Sequence, residues 1–292
     1  MVADTRMGAK AETTIEEFRS QGYTLLRGVL EKYRVEAARR ECGILVDQLA
    51  ERLVAEGKID HLCADEPFET RLLRLYENRS DEAPRNFRTQ LHLPGFFELF
   101  AHPHLLDLAE QIVGPEVLLH PTYTARPKLP EHEPTEVPWH QDSGNTAWML
   151  GDDPAASEVE ALRMANMWTP LVAATEENGC MAFVPGSHRQ GVVPHEKGDA
   201  TYLHIAEEHT RALEKQAVPI ELDPGDVVVF HDLLFHRGLP NHSSAIRWSV
   251  EFRYQDATQS TLRPQKGHLI RSRAHPDRVV RDAAHWARLK FQ

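Results

Sequence analysis

Val137-Pro138-Trp139-His140-Gln141-Asp142-Ser143-Gly144 sets an imidazole and a carboxylate two residues apart. In extended chain that spacing turns both side chains to one face, where they can share a metal ion. A second histidine from elsewhere would complete the two-histidine, one-carboxylate set that holds non-haem Fe(II) and leaves three adjacent positions open. Alone, the motif carries little weight: 17 histidines in 292 residues make roughly one chance His-x-Asp expected. A second does occur, His275-Pro276-Asp277. There a proline and an early aspartate precede a helical pattern, which are ordinary helix-start signals, and that copy reads as structural.

The length suits one elaborated domain spanning residues 1–292. A net charge of -11 argues against nucleic acid, whose phosphates are bound through surplus Lys and Arg. Cys42, Cys63 and Cys180 are odd in number, far apart and free of C-x-x-C spacing, so neither a disulfide framework nor a zinc knuckle is suggested. No stretch approaches the ~18 apolar residues of a membrane span, and Met1–Ala11 lacks the apolar core of a signal peptide. The expectation is a soluble cytoplasmic protein.

Residues 1–115 read as mainly helical. Thr14-Ile15-Glu16-Glu17 has the form of a capping box ahead of a short helix stopped by Gly22, and Tyr23–Leu26 reads as a strand. Val35, Ala38, Cys42, Leu45, Leu49 and Leu53 recur at steps of three and four, predicting a long amphipathic helix from about Glu31 to about Glu56 whose apolar stripe lies on a sheet. Pro103 opens another helix that Gly114-Pro115 ends. From 116 to 258 the character changes to short β-like runs: Val117–Tyr123, Met164–Leu171, Cys180–Val184, Val218–Leu222, Val227–Phe230 and Ile246–Tyr254. Turns at Asn178-Gly179, Pro185-Gly186-Ser187 and Asp223-Pro224-Gly225-Asp226 punctuate them, as in a sandwich or barrel. The acidic stretch Gly151–Glu160 reads as a surface excursion or a lid. In 259–292, Val279, Val280, Ala283, Trp286 and Ala287 share one helical face, predicting a C-terminal helical extension that docks on the barrel or joins two copies as a homodimer.

The second histidine could be His231, His236 or His242, all just after the strand Val227–Phe230; spacing does not choose. In the following strand Arg247, Ser249, Glu251 and Arg253 alternate with Trp248, Val250, Phe252 and Tyr254, a strict period of two. Either the polar face meets water, or the apolar face lies under the N-terminal helices and Arg247 and Ser249 point into the barrel. In the second case a guanidinium fork could grip a dicarboxylate co-substrate.

In order, W-H-Q-D, W-T-P, E-N-G-C-M-A-F-V-P-G-S-H, P-G-D-V-V-V-F-H-D-L-L-F-H-R-G and A-I-R-W-S-V make a series that resembles the phytanoyl-CoA dioxygenase family of Fe(II)/2-oxoglutarate oxygenases. The match runs from about Val117 to about Tyr254. It implies a mainly β fold with flanking helices, whose core is a double-stranded β-helix (a cupin-like jelly roll), with His140, Asp142 and His236 as catalytic iron ligands. It further implies Arg247 as the 2-oxoglutarate anchor, helped by Ser249, with Trp168 lining the co-substrate pocket and Arg126 at a position where relatives carry a basic residue. Ser187-His188 then belong to a turn. The chemistry implied is conversion of 2-oxoglutarate and O2 to succinate and CO2 with oxidation of a small-molecule substrate, stimulated by ascorbate. Hydroxylation is favoured over halogenation, because related halogenases lack the carboxylate that Asp142 supplies. The rival readings are a metal cupin enzyme without 2-oxoglutarate, which would need no Arg247, and a non-catalytic ligand-binding jelly roll, which would tolerate a lost triad residue.

Overall fold

The chain opens with helix α1 (Val2–Gln21) and strand β1 (Tyr23–Leu26). The computed structural model describes residues 2–197, 202–211 and 213–291, with side chains from residue 12 onward; the side chains of Met1–Ala11, the stretch without a signal peptide's apolar core, lie outside the described residues. Thr14–Glu17 is interior to α1 rather than its cap. The residues ahead of it, rich in Ala, Lys, Arg and Glu, are good helix formers that extend the helix backwards.

Helix α2 (Lys32–Ala55) buries Val35, Ala38, Cys42, Leu45, Leu49 and Leu53 along the expected stripe, and the chain leaves it at Gly57, whose φ is +66°. Helices α3 (Arg71–Leu75), α4 (Pro94–Phe100) and α5 (Pro103–Val113) complete this part. The last two each start with a proline, whose missing N–H costs nothing in a first turn.

Strands β2 (Val117–Leu119), β3 (Thr124–Lys128) and β4 (Val137–His140) lead to helix α6 (Asp142–Leu150). Strands β5 (Met164–Pro170), β6 (Met181–Phe183), β7 (His195–Glu196) and β8 (His204–Ile205) follow, then helix α7 (Glu207–Thr210). Strands β9 (Val218–Ile220), β10 (Val227–Phe230), β11 (His236–Gly238), β12 (Arg247–Asp256) and β13 (His268–Arg271), and helix α8 (Ala283–Arg288), finish the chain. Among the described residues the major sheet runs β1-β10-β5-β12-β2-β13, with β3 also on β12, and the minor sheet runs β4-β11-β6-β9. Every pairing is antiparallel. The result is a double-stranded β-helix with flanking helices.

Strand β12 decides what faces inward. Its Trp248, Val250, Phe252 and Tyr254 are buried in the same core as α2, α4 and α5, and Tyr254 donates its hydroxyl to Phe100 O at 2.8 Å. Burying each such ring or branched chain is worth about 1.5–3 kcal/mol, which fixes the register and sends Arg247, Ser249, Glu251 and Arg253 to the barrel interior. The expected strand Val117–Tyr123 ends early: β2 pairs with Tyr254–Asp256 and β3 with Arg247–Glu251, so the chain steps along one long partner in two short pieces.

The C-terminal part differs from its expectation. Pro276–Arg278 forms only a 3-10 turn and α8 only six residues, while β13 joins the major sheet beside β2. Val280 N donates to Leu269 O at 2.9 Å, so the β-branched pair Val279-Val280 follows a strand edge instead of continuing a helix. Asp282 starts α8 anew by accepting from His285 N at 2.7 Å. Trp286 is buried within its own chain, its indole donating to Leu91 O at 2.9 Å, and Ala287 is exposed. The acidic stretch carries a 3-10 turn, Pro154–Ala161, capped by Asp153 and holding Val159 buried. Its Glu160 accepts from Val192 N at 2.6 Å, which ties the excursion to the loop after Gly191.

Candidate active site

His140 ends β4 and Asp142 begins α6, with Gln141 as the cap between them. Gln141 is itself extended, at φ −114° and ψ 138°, so the two-residue spacing turns the imidazole and the carboxylate to one face as expected, and the helix starts only at Asp142, at a strand-to-helix joint. A first-turn position also places Asp142 at the positive end of the helix dipole. The joint is held by the residue between the two. Gln141 is fully buried; its amide donates to Gly191 O at 2.8 Å and Leu233 O at 2.7 Å and accepts from Val193 N at 2.9 Å. Its backbone N donates to His195 Nε2 at 3.0 Å.

His236 begins β11 and sits directly opposite His140 of β4, the two ring centroids 4.0 Å apart. Among the described residues His140, Asp142 and His236 are the group whose ligand atoms all lie within 4.8 Å of one another. His231 stacks on Phe18 instead, and His242 is an exposed partner of Glu131 at 2.7 Å.

The donor set fits a metal. His140 Nδ1 donates to Pro138 O at 3.0 Å and His236 Nδ1 to Leu234 O at 2.8 Å; a carbonyl can only accept, so each Nε2 is left with its lone pair. Burial pushes both imidazoles toward the neutral form, His140 down to about 3 with His236 adding to the effect. Burial alone would raise the Asp142 carboxyl, but Arg253 above all, then the two histidines, hold it below the usual carboxylate range. Two neutral nitrogens and an ionised oxygen are what a 2-His-1-carboxylate site requires. Arg253 approaches Asp142 Oδ1 at 2.5 Å, and Asn166 donates to Oδ2 at 2.8 Å.

A cavity of about 300 Å³ opens over these residues, lined also by Trp168, Arg247 and Glu251. Arg247 is 5% exposed and lies 5.2 Å from the Trp168 ring centroid. It donates to Ser249 Oγ at 2.6 Å and Gly179 O at 3.2 Å. Among the described residues no carboxylate lies within ion-pair range of it. Burial lowers its guanidinium to about 10, leaving it charged at neutral pH. Arg126 reaches the same cavity, but Glu251 meets it at 2.9 Å, so its charge is already matched.

Several cavity residues escaped the sequence reading. Arg253 stood in the same period-two row as Arg247, so its inward direction was readable while its partner was not. Asn166 faces inward opposite Arg253 across the β5–β12 pair, and Arg88 and Arg263 come from irregular segments with no periodic signal. His195, Gly144 and Gln141 meet only through tertiary contacts.

The fold is that of the non-haem 2-oxoglutarate-dependent enzymes. EctD from S. alaskensis, solved with 2-oxoglutarate and 5-hydroxyectoine, superposes with a TM-score of 0.58 at 21% identity, covering 86% of this chain and 76% of that one. The epimerase SnoN, solved with Fe3+, alpha ketoglutarate and nogalamycin RO, gives 0.55 at 24%, covering 87% and 88%. In sequence, the 1-deoxypentalenic acid 11-beta-hydroxylase of Streptomyces arenae is 27% identical over 258 residues, 81% of this chain and 78% of that protein. The phytanoyl-CoA dioxygenase (PhyH) family model matches residues 18–249, and the chain belongs to that family. It is an Fe(II)/2-oxoglutarate-dependent oxygenase. Among the described residues no helix is long and apolar enough to cross a membrane.

Proposed function

We propose that this protein hydroxylates an aliphatic carbon of a small molecule, with His140, Asp142 and His236 holding the iron and Arg247 holding the far carboxylate of 2-oxoglutarate. One observation carries the reading. A metal-ready triad and a buried guanidinium without a carboxylate partner share one cavity. A metal cupin that does not use 2-oxoglutarate would bear the desolvation cost of Arg247 to no purpose.

Bound iron and 2-oxoglutarate supply the oxidising chemistry, with succinate and CO2 as co-products. The chain supplies geometry. The carbonyl hydrogen bonds at Nδ1 orient both imidazoles, and the Arg253 and Asn166 contacts fix the carboxylate. Ser249 holds the Arg247 fork in plane, Trp168 packs against it, and Arg126 keeps Glu251 from competing for it. The hydroxylase named among the relatives and the carboxylate at Asp142 both favour hydroxylation. We further propose that ascorbate stimulates turnover by keeping the iron reduced, and that the protein works in the cytoplasm.

The test is reconstitution with Fe(II), 2-oxoglutarate, ascorbate and oxygen. One metal per chain, a visible charge-transfer band on adding 2-oxoglutarate without oxygen, and succinate release with oxygen are the expected results. Metal-replete protein that gives neither band nor succinate would overturn the proposal.

A further inference from the structure

The cavity is far more cationic than the acidic chain around it. Six arginines line it, Arg88, Arg126, Arg237, Arg247, Arg253 and Arg263, against two carboxylates, Asp142 and Glu251. Ion pairs account for half of the arginines: Arg253 with Asp142, Arg126 with Glu251, and Arg237 with Glu214 outside the cavity. Arg247 is taken by the co-substrate in the function proposed above. Fe(II) and the 2-oxoglutarate dianion cancel each other's charge, so the cavity keeps a positive excess even with the co-substrate on Arg247, and the guanidiniums left with neither an ion pair nor the co-substrate are Arg88 and Arg263.

Both are held in place without a counter-charge. Phe87 bridges to Ala125 of β3 through hydrogen bonds of 2.8 and 2.9 Å, which sets Arg88 against the cavity wall. Arg263 donates to Thr146 Oγ1 of α6 at 2.8 Å. Among the described residues neither guanidinium has a carboxylate within ion-pair range, and the Nε of each is buried without a hydrogen-bond partner. Burial, then the nearby Arg253, lowers both, Arg263 to about 10. Arg88 is among the charges that act on Arg263, so the two stand close enough to repel. Unpaired, half-buried charges weaken a fold, and a ligand that supplies the missing charge recovers that loss.

They also lie away from the co-substrate anchor. Arg247 and Arg253 are six residues apart on β12, about 20 Å at the rise of a strand. Arg88 and Arg263 cluster around the Arg253 end, on the metal's side. We infer that the substrate is a small carboxylic acid whose carboxylate is gripped by Arg88 and Arg263 beside the iron. The planar forks of two guanidiniums match a carboxylate's two oxygens.

The inference rests on the oxygenase reading, and the two can fail separately. The probe is benzoate against its neutral isostere benzamide, titrated calorimetrically without oxygen into Fe(II) protein saturated with 2-oxoglutarate, and into the metal-free protein. Benzoate should bind at least tenfold tighter than benzamide. Arg88→Gln and Arg263→Gln should each remove most of that preference while leaving the 2-oxoglutarate titration within about twofold, and should keep or raise Tm because each removes an unpaired charge. Equal binding of benzoate and benzamide would overturn the inference, as would a preference that survives both substitutions. So would variants whose main loss is in 2-oxoglutarate affinity. An absent charge-transfer band with the benzoate preference intact would instead overturn the oxygenase reading.

Discussion

Arg253 Nη2 lies 2.5 Å from Asp142 Oδ1 and Arg253 Nε lies 3.2 Å from Oδ2, a two-point grip on the carboxylate of the His-x-Asp motif. The grip keeps Asp142 ionised and aimed between the two imidazoles before any metal arrives. Arg253→Met should weaken Fe(II) affinity about 10–100-fold, the usual cost of losing an outer partner of a metal ligand, with Arg253→Lys recovering part. Metal titration checks this, and an unchanged affinity would show that the carboxylate orients itself.

Three histidines competed for the third ligand position. His236→Ala should lose stoichiometric iron. His231→Ala and His242→Ala should retain it, because those side chains meet Phe18 and Glu131 away from the cavity. Metal analysis of the three variants decides between them.

Arg247→Leu should leave iron in place and weaken 2-oxoglutarate binding about a hundredfold or more. Removing one partner of a buried charge pair costs about 3–5 kcal/mol, at ~1.4 kcal/mol per tenfold. Arg247→Lys should recover only part, since an ammonium keeps the charge but loses the fork. Anaerobic titration of the charge-transfer band is the measurement, and a parent-like titration in Arg247→Leu would remove the anchor from the proposal.

Gly144 packs against His195. A methyl group there would come within 1.9 Å of the ring, and that ring receives the backbone N–H of Gln141 inside the metal motif. Gly144→Ala should therefore lower stability by about 1–3 kcal/mol and weaken iron binding with it. Adding His195→Ala should relieve the clash and restore part of the stability. A Gly144→Ala protein as stable as the parent would mean that the joint yields.

Lys128 is buried opposite Arg247, and burial first, then Arg247, pushes its ammonium down to about 7. Between that value and the ordinary lysine value the unfolded chain binds more protons than the folded one, so this residue makes stability rise with pH across the interval. Below pH 7 its penalty is complete. Lys128→Met should be more stable than the parent by ~1–4 kcal/mol at pH 7 and below, the gain shrinking toward pH 10. Denaturant unfolding across that range measures it, and a gain that does not depend on pH would contradict the assignment.

Local pattern determined much of this protein. The three-and-four spacing of α2, the period-two alternation of β12 and the turn residues between short strands each report a face that must be buried, and burial of apolar surface is the dominant driving force for folding. The ordered motifs around His140, Asp142, His236 and Arg247 carried the family and the fold with them. The capping pattern at Thr14 and the single helical face drawn through Val279, Val280, Ala283, Trp286 and Ala287 failed for the same reason: short-range signals lose to longer helix-forming context and to an available strand edge.

Tertiary structure alone decided which polar residues meet. The direction of β12 was open until helices α2, α4 and α5 covered its apolar face. The choice among three histidines was made by the pairing of β11 with β4, which sets His236 across from His140. The partners of Asp142, the lock of Gln141 on distant backbone and the unanswered charges of Arg88 and Arg263 join residues from about twenty to well over a hundred positions apart. No periodicity encodes such contacts, because they depend on distances that exist only once the two sheets have closed on each other.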